Sequence, residues 1–247
     1  MEISYKKMIS LLVICATLFL TCKKSGHDSD TNDGNGALPQ SAETKPQYDN
    51  TSFGVYKGVV IGSSGFIFFR IHNDDNIARA YLNIDDQWDT LSTTSTIIEG
   101  QPLINVVFTG RFSSMTLNAD VHGNFANVTA IQIAGHSNPT VFIIHENSTK
   151  QIFCYEGTFS GNSSGIFNCA RAGENNGDSV YVLAKITGDT TLSNGFGHQI
   201  NSGISVNLYR DLAVTFVAQG SFSGDDFNGT WTWASVGSGT FTCKRTY

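Results

Sequence analysis

The chain has 247 residues, 15 of them Lys or Arg and 21 Asp or Glu, for a net charge of -6. Only 15% of residues are charged and 40% are hydrophobic, a balance that can bury a core and excludes wholesale disorder. The mild acidity offers no attraction for phosphate backbones, which argues against nucleic acid as a partner. The length corresponds to one large or two small domains.

The first residues read as a leader rather than as fold. Lys6 and Lys7 precede an apolar run from Met8 to Leu20, and Thr21-Cys22 follows at once. That run is too short to cross about 30 Å of hydrocarbon as a permanent helix, so residues 1–21 are expected to be a cleaved signal peptide. Phe19-Leu20-Thr21-Cys22 resembles a bacterial lipobox with Cys22 as the lipidated residue. An unlipidated secreted protein and an uncleaved N-terminal anchor are the alternatives. Lys23, standing where Asp would retain a lipoprotein in the inner membrane, resembles the outer-membrane sorting pattern. Residues 22–50 hold almost no apolar side chains and are expected to form a flexible polar tether. Asp28, Asp30 and Asp33 within it resemble the export signals of some cell-surface lipoproteins, or simply keep the linker solvated.

From Thr51 onward, short runs rich in Val, Ile, Phe, Tyr and Thr alternate with Gly, Asn, Asp and Ser, the pattern of strands and turns. Strands are predicted near 53–61, 65–72, 77–84, 88–98, 103–113, 124–134 and 140–146. A second series is predicted near 151–160, 165–172, 178–187, 203–209, 212–222, 227–234 and 238–246. The two series correspond. Tyr56 matches Tyr155, Gly65 matches Gly165, Tyr81 matches Tyr181 and Asp89 matches Asp189, all at an offset near 100. Gly110 to Ser113 matches Gly220 to Ser223 at an offset of 110, which implies an insertion of about ten residues in the second half, at Ser193 to Gly203.

The predicted fold is all-β: an antiparallel meander of two related seven- or eight-stranded barrel-like modules in tandem, over 51–151 and 152–247. One large barrel or a β-sandwich built from both halves is the alternative. Gly157-Thr158-Phe159-Ser160-Gly161, Asn228-Gly229-Thr230-Trp231 and Ser238-Gly239-Thr240-Phe241 resemble the Gly-rich modules of small meander barrels in bacterial surface lipoproteins. The resemblance implies a fold and a place in a Gram-negative envelope, and it carries no catalytic residue across.

Candidate chemistry is sparse. Gly161-Asn162-Ser163-Ser164-Gly165 fits the G-x-S-x-G pattern of a hydrolase elbow, but a strand and not a helix is expected after it. His27, His72, His122, His136, His145 and His198 lack ligand spacing. Asp74, Asp75, Asp85, Asp86 and Asp89 could offer oxygen to calcium, although no calcium loop is present and hairpin tips explain them. Trp231 and Trp233 share a strand face and could stack a sugar, with core packing as the favoured reading. Cys154, Cys169 and Cys243 stand at apolar positions and are expected as free buried thiols, a Cys154–Cys169 bridge being the alternative. The expected function is therefore a lipid-anchored envelope protein acting by binding or as a structural component, not as an enzyme, with no cofactor or metal and no catalytic residue. Its expected partners are the membrane, through Cys22, and a protein or glycan. A barrel carrying a small apolar ligand or glycan is the alternative, and a hydrolase a distant third. The Ser193–Gly203 loop is the first candidate for recognition, since insertions on rigid scaffolds commonly carry it.

Overall fold

The computed structural model describes residues 38–61, 64–210 and 213–247. The expected leader, Cys22 and the early acidic residues Asp28, Asp30 and Asp33 lie outside the described residues. Among the described residues a 3-10 turn, Pro46–Tyr48, precedes sixteen strands. The first eight are β1 (Gly54–Ile61), β2 (Gly65–Ile71), β3 (Ala78–Ile84), β4 (Gln87–Ser92), β5 (Leu103–Thr109), β6 (Ser113–Ala119), β7 (Asn127–Ile133) and β8 (Thr140–His145). The second eight are β9 (Ile152–Gly161), β10 (Gly165–Ala172), β11 (Ser179–Ile186), β12 (Leu192–Ile200), β13 (Gly203–Arg210), β14 (Ala213–Ser223), β15 (Asp226–Trp233) and β16 (Gly237–Arg245).

Every pairing is between antiparallel neighbours, so the two halves are meanders. In the second half β9 pairs with both β10 and β16 and the sheet closes into an eight-stranded barrel. In the first half β1 pairs with β2 and β8, and the ladder opens between β7 and β8. An eight-stranded barrel is just wide enough for side chains to fill, and large aromatics fill the second one. Phe167 stacks on Phe241 at 4.3 Å and Phe216 on Trp231 at 5.1 Å, with Tyr155, Phe159 and Phe227 beside them. Trp231 is completely buried and donates from Nε1 to Ser160 O at 2.9 Å, so it belongs to the core.

Strand β3 shows the alternation that built the expectation, with Ala78, Ala80, Leu82 and Ile84 inward and Arg79, Tyr81 and Asn83 outward. Strand β1 departs from it and is buried on both faces. Tyr56 and Val60 fill the first barrel, while Val59 and Ile61 pack with Phe66 and Phe68 against Cys154, Ala170, Leu183 and Tyr247 of the second half. The Tyr247 ring stacks on Phe68 at 4.5 Å, and Asn168 Nδ2 donates to Val60 O at 2.8 Å across the junction. Each large apolar side chain taken fully from water there contributes roughly 1.5–3 kcal/mol, and both barrels belong to one compact unit, residues 37–247.

Three expectations are corrected. First, β6 and β12 were not predicted, and the supposed recognition loop from Ser193 is strand β12, paired with β11 and β13. Second, the offset of 110 does not relate equivalent positions. Gly110 lies in the β5–β6 turn and Gly220 lies within β14, whereas β6 and β14 begin 100 residues apart. Third, the expected tether does not extend to residue 50. Glu43 and Thr44 are held by the fold, Thr44 being 3% exposed, and Asp49 accepts from the Ser148 hydroxyl at 2.7 Å.

Candidate functional site

Titratable groups with perturbed behaviour gather first at the junction. Lys57, from the outward face of β1, is fully buried, with Nζ 2.7 Å from Glu146 Oε1 and 2.7 Å from Glu43 Oε2, the latter contact outside hydrogen-bond geometry. Arg70 pairs with the other Glu43 oxygen at 2.6 Å. Glu146 also accepts the backbone N–H groups of Glu43 at 2.6 Å, Thr44 at 3.2 Å and Ile152 at 2.9 Å. Burial opposes ionisation of Glu43, yet Lys57 and Arg70 outweigh it and hold this carboxyl below the usual range. Lys57 and Glu146 are fully shielded from water and Glu43 and Arg70 largely so, with Glu43 Oε2 and Arg70 Nε lacking a hydrogen-bond partner. The cluster ties the incoming segment and both barrels together and offers no atom to a substrate.

The open chemistry lies at the loosened end of the first barrel. Strand β4 meets β5 through a single residue pair, Ser92 with Thr109, and β7 does not pair with β8. Strands β5, β6 and β7 thus form a three-stranded flap with few ladder bonds to the rest, and its ladders carry register shifts. Asp85 (φ 50°), Ala130 (φ 48°) and Asn138 (φ 53°) at this end are three of eight non-glycine residues with left-handed backbones among the described residues.

A groove of about 870 Å³ runs along this end, walled by the β5–β6 turn, the end of β7 and the start of β8. A smaller hollow of about 310 Å³ shares Arg111, Phe112, Ala134 and His136 with it. Asp89 fixes the turn. Its carboxylate accepts the N–H groups of Arg111 at 2.8 Å and Phe112 at 3.0 Å and the Ser113 hydroxyl at 2.7 Å. Burial pushes against its ionisation, and those three donors overcome it and hold its pKa below the usual value. Gly110 is required because a Cβ there would stand 2.4 Å from an Asp89 oxygen. The turn so held presents Arg111 over the Phe112 ring at 5.4 Å, with no carboxylate partner among the described residues. His136 Nε2 faces Asp85 at 3.6 Å, and Gln132, Ser114 and Thr140 supply neutral donors and acceptors. The sequence match of Asp89 to Asp189 is corrected: Asp89 lies within β4 opposite Leu82, whereas the residue opposite Val182 in β12 is Gly195, and Asp189 lies in the β11–β12 turn and pairs with Arg210 at 2.7 Å.

The other sequence candidates fall apart in space. Ser163 and Ser164 lie in the turn between strands β9 and β10, with no helix following. Asp74 and Asp75 pair with Arg70 and Arg79, and Asp85 and Asp86 form a two-residue hairpin turn with φ of 50° and 59°. No group of three or more His, Cys, Asp or Glu able to hold a metal occurs among the described residues. His145 hydrogen-bonds Phe53 O at 2.8 Å, and burial holds its pKa down. Cys154, Cys169 and Cys243 are free and buried; Cys154 faces the junction while the other two face the barrel interior. Sequence reasoning gave Arg111 no role beyond a repeated phrase and set His136 aside with the other histidines for lack of ligand spacing. It also missed Lys57, visible as a lysine inside the apolar run Val55–Ile61. No protein-family profile, curated protein or solved structure matches the chain.

Proposed function

We propose that this is a lipid-anchored protein of the Gram-negative envelope, attached to the outer membrane through Cys22, that acts by binding rather than by catalysis. The groove at the loosened end of the first barrel is its binding site. The observation that carries this reading is the groove and its polar lining. Arg111, His136 and Gln132 line an open hollow on a turn fixed by Asp89. A carrier of apolar ligands needs interior space, and stacked aromatics occupy that space in the second barrel. The groove wall supplies hydrogen-bonding groups suited to recognition.

Two measurements test it. Fractionation should place the wild-type chain in the membrane fraction and Cys22→Ala in the soluble fraction; a variant that stays membrane-bound refutes the lipid anchor. Arg111→Ala with His136→Ala, both at the surface of a folded scaffold, should lower recovery of envelope material on the immobilised full chain at least tenfold, and unchanged recovery removes the groove from the account.

A further inference from the structure

Large apolar side chains reach water at one end of the first barrel. Ile98 lies in the β4–β5 loop, Ile104 at the start of β5 and Phe125 in the β6–β7 turn, and they are 61%, 68% and 86% exposed. Ile77, 46% exposed, ends the β2–β3 turn. In an antiparallel meander these connections fall at the same end, which is where β1 begins and β8 finishes, and the groove lies at the other. Single exposed apolar residues are ordinary, but packing does not account for Phe125. Its backbone is left-handed (φ 52°), a region that a bulky side chain occupies at a cost, and its ring gains almost no burial in return.

The chain enters the fold beside these side chains. Ser52 Oγ donates to Gln101 O at 2.7 Å in the loop that carries Ile98, and the His122 ring, in the turn that carries Phe125, lies 3.2 Å from Asn50 O. Asp49 accepts from Ser148 N at 2.6 Å, and Pro39 O accepts from Gln151 Nε2 at 2.7 Å, so the incoming segment runs along the β8–β9 connection at this end. A lipid on Cys22 draws this end, and not the groove, toward the bilayer. The charges beside Ile77 are paired, Asp75 with Arg79 and Asp74 with Arg70 and Lys45, which leaves the β5–β7 side as the apolar one.

We propose that Ile98, Ile104 and Phe125 form a membrane-contact surface that seats the first barrel on the headgroup–acyl boundary of a zwitterionic bilayer, with the groove directed away from it. The occupant follows from the chemistry. A stable protein interface buries about 800 Å² per partner, whereas a bilayer interface takes apolar and aromatic side chains from separate turns without a matching surface. A basic patch would mark anionic lipid, and neither 93–102 nor 120–126 contains Lys or Arg; Glu99 and Asp120 stand there instead. The inference rests on the Cys22 anchor proposed above and adds a second contact, made by the folded part.

The test is fluorescence quenching of the mature lipoprotein reconstituted in phosphatidylcholine vesicles that carry doxyl groups on their acyl chains. A nitrobenzoxadiazole probe is placed on Ile104→Cys, or on Asp86→Cys at the opposite end of the barrel; Cys154, Cys169 and Cys243 are buried and stay unlabelled. The probe at position 104 is expected to be quenched at least twofold and the probe at position 86 to be unchanged. Adding Ile98→Ser and Phe125→Ser, with circular dichroism matching the parent, should abolish the quenching at position 104. Equal quenching at both positions, none at position 104, or quenching indifferent to the two serines overturns the proposal. Vesicle flotation is scored on the same samples. Protein that floats without quenching at position 104 refutes this surface alone, and protein that does not float refutes the Cys22 anchor and this surface together.

Discussion

Replacing Lys57 by Met removes the one ammonium that two buried carboxylates share. The side chain is fully buried and lies 2.7 Å from Glu146 Oε1 and 2.7 Å from Glu43 Oε2. Glu43 keeps Arg70 at 2.6 Å, but Glu146 is left with backbone donors alone. Breaking a buried pair by removing one partner costs about 3–5 kcal/mol, because the remaining charge loses its compensation without regaining water. With an unfolding entropy near 2.1 cal/mol/K per residue over roughly 200 cooperative residues, a loss of about 4 kcal/mol lowers Tm by about 10 °C. Thermal unfolding followed by circular dichroism measures this. The companion variant Lys57→Met with Glu146→Gln removes both charges and should recover at least half of the loss, since a pair replaced by neutral groups is often close to harmless. A fall of less than about 2 °C, or a double variant no better than the single one, would refute the view of the junction as a compensated ionic lock.

Three further outcomes are expected. Residues 152–247, expressed alone, should give a β-type spectrum and a cooperative transition, because the second barrel closes on itself and leaves no unpaired edge; aggregation would mean that the exposed junction face around Leu183 and Tyr247 dominates. Acidification should destabilise the protein. Glu43 and Asp89 have depressed folded pKa values, so the stability they contribute is present above their ordinary values of 4.5 and 3.8 and is lost as pH falls through the lowered ones. His145, depressed by burial, adds a loss that begins below about 6.5, and Glu156, raised by burial, acts in the opposite sense and offsets part of it. Melts across this range should show Tm falling on acidification, and a maximum near pH 4 would contradict the assignment. Cys154, its thiol pushed up to about 12 by burial, should resist aromatic disulfide reagents along with Cys169 and Cys243 until the protein unfolds.

Fold class and duplication were legible because alternation and turn glycines are local signals, as in β3 and in the Asp85–Asp86 hairpin. Strand β12 was not legible. Its inward face is Ser-Gly-Gly-Gln, shaped by Val206 on a neighbouring strand, so the hydrophobic pattern that marks a strand was inverted. Strand β6 is hidden for a related reason: Gly110-Arg111-Phe112-Ser113, which resembles Gly220–Ser223, spans the β5–β6 turn and the first residue of β6, whereas Gly220–Ser223 lies within β14. The ionic junction joins Glu43, Lys57 and Glu146 across separations of 89 and 103 residues, which no local pattern reports. Of the groove, Asp89 was noticed as a possible ligand, yet its task of fixing the Arg111 turn depends on a contact 22 residues away.

The central claim is that this protein binds without turning over what it binds. Its most direct test is mass spectrometry of envelope material retained by the immobilised full chain, collected before and after prolonged contact and compared with material retained on the Arg111→Ala, His136→Ala protein. The account predicts that the wild type holds material in fixed proportion to protein, that the variant holds at least tenfold less, and that the released material has unchanged masses. Masses shifted by cleavage or group transfer, growing with time and depending on the wild-type chain, would contradict it.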